Sequence, residues 1–368
     1  MAFTGKIVSI FGARQVGKTT LAKRILEKYG AEEHYFNCDI PSIASRLENP
    51  EPVLLERLFG NARIVVIDEA QRIRNIGLIL KVIHDHLPEV QVVTTGSSSF
   101  NLGNALQESL AGRGIEFTLY PFSLHELERL YAPNELDVQL SFFMRYGLYP
   151  EIVDKTEKTA ASLIENLSSK YLYKDILEFE QLKKPELLTN LLRLCALQLG
   201  SEVSRNELSN KLHTSRETVE RYLDLLEKSF IIFRLRPLSR NRRKEIGRKE
   251  KIFFIDPGVR NAILNSFQDL SVRNDVSPLF ENLMIIERLK YIESAGERPS
   301  TWFWRTHDQK EIDYIEEKNG VFSAFEFKWN GGTIKESVRR EFSEFYTQSK
   351  FSLISSKDYF RIHRPENE

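Results

Sequence analysis

The sequence predicts an α/β chain of several domains: an N-terminal doubly wound parallel sheet, a helical linker, a winged helix and a C-terminal α+β domain. Three observations carry this reading. Residues 12–19, Gly-Ala-Arg-Gln-Val-Gly-Lys-Thr, form a complete G-x-x-x-x-G-K-[ST] phosphate-binding loop between a short apolar strand and an amphipathic helix. Strand and helix patterns then alternate from residue 6 to 119, which implies a parallel sheet covered on both faces. Farther on the period turns helical, and short strands return only near the C-terminus.

At 368 residues the chain is too long for one ordinary core. We divide it into residues 1–122, 123–186, 187–255 and 256–368. Hydrophobic content of 41% and charged content of 28% are those of a water-exposed globular protein. Lys plus Arg equals Asp plus Glu at 52 each, so attraction to nucleic acid has to come from local patches. Cys38 and Cys195 are too few for a disulfide scaffold. The first residues lack the apolar core of a signal peptide and no apolar run approaches a membrane span, so a cytoplasmic protein without a membrane partner is expected.

In the phosphate-binding loop, Gly12, Ala13, Arg14, Gln15, Val16 and Gly17 offer backbone amides to a phosphate chain, and the following helix adds its partial positive charge from Thr20 onward. Lys18 would neutralise the β- and γ-phosphates and Thr19 would ligate Mg²⁺. Ile64–Ile67 is a second apolar strand that ends in Asp68-Glu69. A carboxylate at that strand end holds Mg²⁺ and its neighbour orients the attacking water, which makes Asp68 the metal-side residue and Glu69 the general base. Ser97, after the strand Val90–Thr95, is a candidate γ-phosphate sensor and equally an ordinary turn residue. Arg113 is a candidate for stabilising transferred phosphoryl charge, in cis or from a second subunit, and equally a surface arginine.

Pro121, Pro133, Pro150 and Pro185 punctuate a helical stretch, in which Leu163–Phe179 reads as one long helix. Three helices follow: Leu187–Leu199, a second opened by the capping-box pattern Ser204-Arg205-Asn206-Glu207, and a third from Thr214 with Val219, Tyr222, Leu223, Leu225 and Leu226 facing a core. With the strand Phe230–Phe233 they spell a winged helix, whose recognition helix begins with Ser215, Arg216 and Arg221. Between Arg236 and Lys251 stand eight basic residues (with Arg240, Arg242, Arg243, Lys244, Arg248 and Lys249) against Glu245 and Glu250. Such a wing suits DNA phosphates, or else is a solvated loop on a module that binds protein.

From residue 278 the pattern is helix (Pro278–Tyr291), strand (Trp302–Arg305), strand (Glu311–Ile315), strand (Val321–Phe327), helix (Lys335–Tyr346) and strand (Phe351–Ser355), with an Asn319-Gly320 hairpin turn. Glu326 and Lys328 share an otherwise apolar strand face. Asp313 and Glu281 complete a constellation that suits Mg²⁺-assisted phosphodiester cleavage, unless Glu326 and Lys328 simply pair at a strand end.

With GARQVGKTTLA, VVIDEAQRI, TTGSSS followed by SLAGR, KEKIFFIDPGVRN, LFENLMIIERL, and EIDY with FEFKW, the chain resembles a family of prokaryotic AAA-type P-loop ATPases. These carry a winged helix and a C-terminal domain of unknown function similar to restriction-endonuclease folds. The resemblance spans nearly the whole chain. It implies ATP rather than GTP, with Mg²⁺, and a PD-(D/E)xK-like C-terminal domain. It marks Lys18, Thr19, Asp68 and Glu69 as ATPase residues, Arg113 as the finger, and Glu281, Asp313, Glu326 and Lys328 as the nuclease-like motif. The leading expectation is an ATPase that remodels or processes DNA, as a monomer or as a homo-oligomer. Its competitors are a nucleotide-controlled switch acting on protein partners and an ATP-licensed nuclease.

Overall fold

The computed structural model describes residues 5–97, 112–171, 185–239 and 249–363. The chain divides into two compact units, residues 1–120 with 228–230, and residues 121–227 with 231–368.

The first unit is built on β1 (Ile7–Phe11), β2 (Tyr35–Asn37), β3 (Ile64–Asp68), β4 (Gln91–Gly96) and β5 (Gly114–Thr118), in the order β2-β3-β4-β1-β5. All of its pairings are parallel. Alternation along β3 assigns the two faces. Ile64 and Val66 pack with Ala22 and Leu26 of α1 (Lys18–Tyr29). Val65 and Ile67 pack with Leu47 of α2 (Pro41–Leu47), Leu55 and Phe59 of α3 (Pro52–Phe59), and Ile79, Leu80 and Ile83 of α4 (Ile76–His86). The doubly covered parallel sheet is therefore as expected. β4 separates β1 from β3, so the phosphate-binding loop and the acidic strand end face each other across one strand.

The second unit opens with α5 (Leu124–Leu127), α6 (Pro133–Tyr146) and α7 (Glu157–Asn166). The helix expected at 163–179 begins earlier, at Glu157, and residues 172–184 lie outside the described ones. Next come α8 (Pro185–Leu197), β6 (Glu202–Val203), α9 (Arg205–Lys211), α10 (Arg216–Lys228), β7 (Ile232–Leu235) and β8 (Glu250–Phe254). The three strands pair antiparallel in the order β6-β8-β7. Ser204 is the N-cap of α9 but its side chain makes no cap hydrogen bond, contrary to the capping-box reading. Glu207 is drawn away to Lys211, 2.7 Å off, and accepts from Gln198 Nε2 at 3.0 Å.

Among the elements not anticipated is α11 (Pro257–Leu264), which opens with Asp256 as N-cap and Pro257 in its first turn. The Asp256 carboxylate accepts from Val259 N at 3.1 Å and from Leu148 N at 2.7 Å, and it is fully buried. The C-terminal part holds α12 (Val276–Ser294), β9 (Ser300–Arg305), β10 (Glu311–Lys318), β11 (Val321–Lys328), α13 (Glu336–Phe345) and β12 (Ser349–Ser355). Its sheet runs β12-β11-β10-β9, with β12 parallel to β11 and the other pairs antiparallel. Asn319 and Gly320 both take positive φ, 55° and 82°, as a tight hairpin turn requires. Trp304, Ile312, Ile315 and Ala324 close against Val338 and Phe342 of α13. A 3₁₀ turn, Tyr359–His363, follows. Among the described residues, no helix is long and apolar enough to cross a membrane.

Gly258 fixes how closely α11 approaches α6: a Cβ there would lie 2.0 Å from the Tyr146 carbonyl oxygen. We expect Gly258→Ala to destabilise the second unit by about 1–3 kcal/mol, because a backbone atom rather than a flexible side chain has to give way. Chemical denaturation followed by circular dichroism checks it, and an unchanged midpoint contradicts this packing.

Candidate functional site

The phosphate-binding loop takes its shape from two glycines. Gly12 has φ 152° and a Cβ there would lie 2.1 Å from the Leu119 carbonyl oxygen, and Gly17 caps α1 at φ 101°. Ala13 and Val16 are buried and anchor the loop, while Gln15 (at φ 62°) and Thr20 are exposed and Arg14 is half-buried. Lys18 is buried, its ammonium donating to the carbonyls of Gly12 at 2.9 Å and Ala13 at 2.7 Å. Those bonds hold the positive charge against the loop, next to the amides at the start of α1.

Asp68 is the point at which four elements meet. Its Oδ2 accepts from Thr19 Oγ1 at 2.9 Å and from the Tyr35 hydroxyl, and its Oδ1 accepts from Thr95 Oγ1. Thr19 comes from α1, Tyr35 from β2 and Thr95 from β4. Hydroxyl donors thus satisfy this buried carboxylate, as buried polar groups require. Burial, reinforced by Asp68, pushes the Tyr35 hydroxyl above its ordinary value, so it stays a donor.

Glu69 follows in a left-handed conformation, φ 55°, outside the strand's own geometry. Its amide donates to Thr95 Oγ1 at 3.1 Å and its carboxylate accepts from Gln71 Nε2. Burial raises the Glu69 carboxyl above the usual carboxylate value, against the opposing pull of Lys18 and Gln71. That direction suits a base. Gln71 Nε2 also donates to Ser97 Oγ at 3.2 Å, so Ser97 lies in the same constellation. Tyr35, Thr95 and Gln71 are additions to the residues anticipated. Thr95 ends a strand already read as such, whereas the three-residue β2 gives no sequence signal.

For Arg113 the placement counts against the in-cis alternative. It sits where β5 begins, its carbonyl accepting from Ile7 N at 2.9 Å, while the loop follows the far end of β1. Its guanidinium donates through Nε to Asp85 at 3.0 Å. A five-residue strand separates it from the loop by about 13–17 Å, too far to serve in cis.

On α10, Ser215, Arg216 and Arg221 are exposed, and Arg216, Arg221 and the exposed Lys249 line one groove. Ser215 Oγ accepts from Thr218 N at 3.2 Å, which is a helix-capping role. Arg240, Arg242, Arg243, Lys244 and Arg248 lie outside the described residues. Lys251 does not belong to an exposed basic wing. It is 1% exposed, with its ammonium 2.8 Å from Glu281 and 2.6 Å from Glu311. Consecutive β8 side chains point to opposite faces, so the buried Glu250 turns the other way, 3.7 Å from Arg205 and 3.9 Å from Arg234.

Lys251 thereby joins the C-terminal constellation. Asp313 Oδ2 accepts from Phe327 N at 2.8 Å, and Glu326 pairs with Lys328 at 2.6 Å. Glu281, Asp313, Glu326 and Lys328 act on one another electrostatically, together with Glu311. Burial raises the Glu281 and Asp313 carboxyls, and burial plus the Asp313 charge pushes Glu326 up to about 7. Lys251 is held protonated: burial opposes its charge, but Glu281, Asp313 and Glu311 outweigh it. Beside Glu281, Asn282 binds the β8 backbone, accepting from Phe254 N at 2.7 Å and donating to its carbonyl at 2.9 Å.

Lys251→Ala, which leaves buried carboxylates without their cation, is expected to cost about 3–5 kcal/mol, and exposed Lys249→Ala to stay within about 0.5 kcal/mol. Equal effects in denaturant titrations would contradict the placement of Lys251. A carboxyl whose folded value lies above its unfolded one favours the fold while protonated. The Glu326 contribution is therefore complete below about pH 4 and lost as pH rises through about 7. Asp313→Asn removes the neighbouring charge and should move the Glu326 titration downward, as read by NMR.

Three family models match in succession: an AAA domain at residues 4–128, a domain of unknown function (DUF8612) at 138–270 and a domain of unknown function (DUF4143) at 277–364. An uncharacterized protein of Mycobacterium tuberculosis is 26% identical over 324 residues, 88% of this chain and 70% of its own length. An uncharacterized protein of Haemophilus influenzae is 26% identical over 266 residues, 69% of this chain and 62% of its own. Among solved structures, the Aeropyrum pernix ORC1 protein in complex with DNA aligns with a TM-score of 0.36 at 17% identity, covering 71% of this chain and 86% of that one. Replication initiator DnaA bound to AMPPCP and single-stranded DNA aligns with a TM-score of 0.29 at 13% identity, over 61% of this chain and 83% of that one. The loop, the strand order and the family match agree: the N-terminal part of the chain is a P-loop domain of the AAA type.

Proposed function

We propose that the chain binds and hydrolyses ATP with Mg²⁺ and uses the cycle to remodel or process DNA. The observation that carries the ATPase reading is Asp68, held by Thr19, Tyr35 and Thr95 beside Lys18 and the raised Glu69 carboxyl. Thr19 and Asp68 would hold Mg²⁺, Lys18 would neutralise the β- and γ-phosphates, and Glu69 would orient the attacking water. Ser97, tied to Gln71, is a γ-phosphate sensor in this reading. A finger role for Arg113 requires a second copy of the chain.

The DNA part of the proposal rests on α8, α9 and α10 with the three-stranded sheet, which we interpret as a winged helix, and on the groove lined by Arg216, Arg221 and Lys249. We interpret the C-terminal domain as PD-(D/E)xK-like, with Glu281, Asp313, Glu326 and Lys328 together. The Lys251 ammonium among these carboxylates favours binding over cutting, because it already supplies positive charge that a catalytic metal would bring. A second reading, a nucleotide-controlled switch on a protein partner, draws on the acids Glu217, Glu220 and Asp224 that share the α10 groove.

Lys18→Ala is expected to abolish nucleotide binding, and Glu69→Gln to keep binding while turnover falls about 100-fold or more. Fluorescent-nucleotide binding and phosphate release measure the two, and a Glu69→Gln protein with wild-type turnover overturns the choice of base. Arg216→Ala should weaken duplex DNA binding across sequences and lower the salt slope by about 1. Binding that is absent in the wild type, or unchanged in the variant, favours the switch.

A further inference from the structure

A cluster in the second unit stands apart from both sites above. His125 on α5, Glu128 directly after it and His363 in the terminal 3₁₀ turn each present one donor atom, and these atoms lie within 4.8 Å of one another. His125 and Glu128 are three residues apart on one helical face, with Nδ1 and Oε2 3.1 Å apart, and each side chain is 41% exposed. His363 is different, being only 3% exposed, and neither ring nitrogen has a hydrogen-bond partner. Its Nδ1 is a buried polar atom that lacks the partner such atoms ordinarily find. Its Nε2 stands 3.4 Å from the Glu287 carboxylate, which leaves Nδ1 for a ligand.

The scaffold around it is a network of buried ion pairs and hydrogen bonds. Glu287 is fully buried; it accepts from Leu124 N at 2.6 Å and pairs with Lys290 at 2.8 Å. Lys290 also donates to the Phe122 carbonyl at 2.8 Å. Arg288, paired with Glu316, donates to the Ile362 carbonyl at 2.9 Å. One turn of α12 thus fixes the α5 side and the His363 side of the cluster. A carboxylate behind a ligand imidazole is the usual way of setting its tautomer and orientation at a metal.

We propose that His125, Glu128 and His363 bind a borderline transition-metal dication of the Zn²⁺ class, with the remaining position open to water on the exposed His125–Glu128 side. Two imidazoles and one carboxylate match Zn²⁺ and disfavour Mg²⁺, which takes oxygen ligands. Bound there, the ion ties the segment before α6 to the last described turn of the chain. The site is independent of the nucleotide and of the carboxylate cluster around Lys251.

The test is a titration of chelator-treated full-length protein, free of nucleotide, with Zn²⁺ by calorimetry, in the wild type and in His125→Ala and Glu128→Gln. Both altered residues are substantially exposed, so both variants should fold, and circular dichroism verifies this. The wild type is expected to take up one more Zn²⁺ than either variant, or to hold it at least tenfold more tightly, with Mg²⁺ unable to compete. Co²⁺ in its place should give the visible absorption of a low-coordinate site, absent in His125→Ala. Equal Zn²⁺ stoichiometry and affinity in wild type and His125→Ala, or no binding by the wild type, overturns the proposal.

Discussion

The second unit depends on one buried ammonium. Lys251 sits on the central strand of a three-stranded sheet, yet its charge is spent on Glu281 from α12 and Glu311 from β10. Desolvating a lysine and several carboxylates is tolerable only when they neutralise one another. The requirement fixes β8 against α12 and the C-terminal sheet in one register, and Asn282 secures the same contact by pairing with the Phe254 backbone. Glu250, one residue earlier, anchors the opposite face to Arg205 and Arg234. A stretch of alternating charge therefore acts as a polar seam within the core, where apolar residues would give less positional selectivity.

The first unit meets the same constraint differently. Asp68 is buried, and its carboxylate accepts from hydroxyls of three other elements beside the phosphate-binding loop. Lys18 donates to two loop carbonyls. In the proposed function, ammonium and carboxylate serve different parts of a metal-bound triphosphate. β4 between β1 and β3 makes this possible, since Thr95 at its end reaches both Asp68 and the Glu69 amide.

Much of this was legible in the residues. The phosphate-binding loop, the Asp68-Glu69 strand end and the parallel sheet follow from motif and period, because each is local in sequence. The helix–three-strand–helix–strand order at the C-terminus was also legible, and so was the grouping of Asp313, Glu326 and Lys328, since strand alternation sets which side chains share a face. Partners supplied from afar were not. Tyr35 comes from a three-residue strand, and Lys251 was counted with a basic wing because nothing near it in sequence reveals Glu281 and Glu311. The in-cis alternative for Arg113 stayed open for a simpler reason: its proximity to a strand says nothing of which end of the sheet that strand begins at. The helix at Pro257 was missed although Asp256-Pro257 carries a start signal.

Coupling between the nucleotide cycle and DNA is the central claim. It is tested most directly by steady-state ATP turnover while double-stranded DNA is titrated, at low and at moderate salt. The account predicts stimulation that weakens as salt rises, since contacts to phosphates release counterions. Turnover that is indifferent to DNA at both salts would contradict it and would place the output of the cycle on a protein partner.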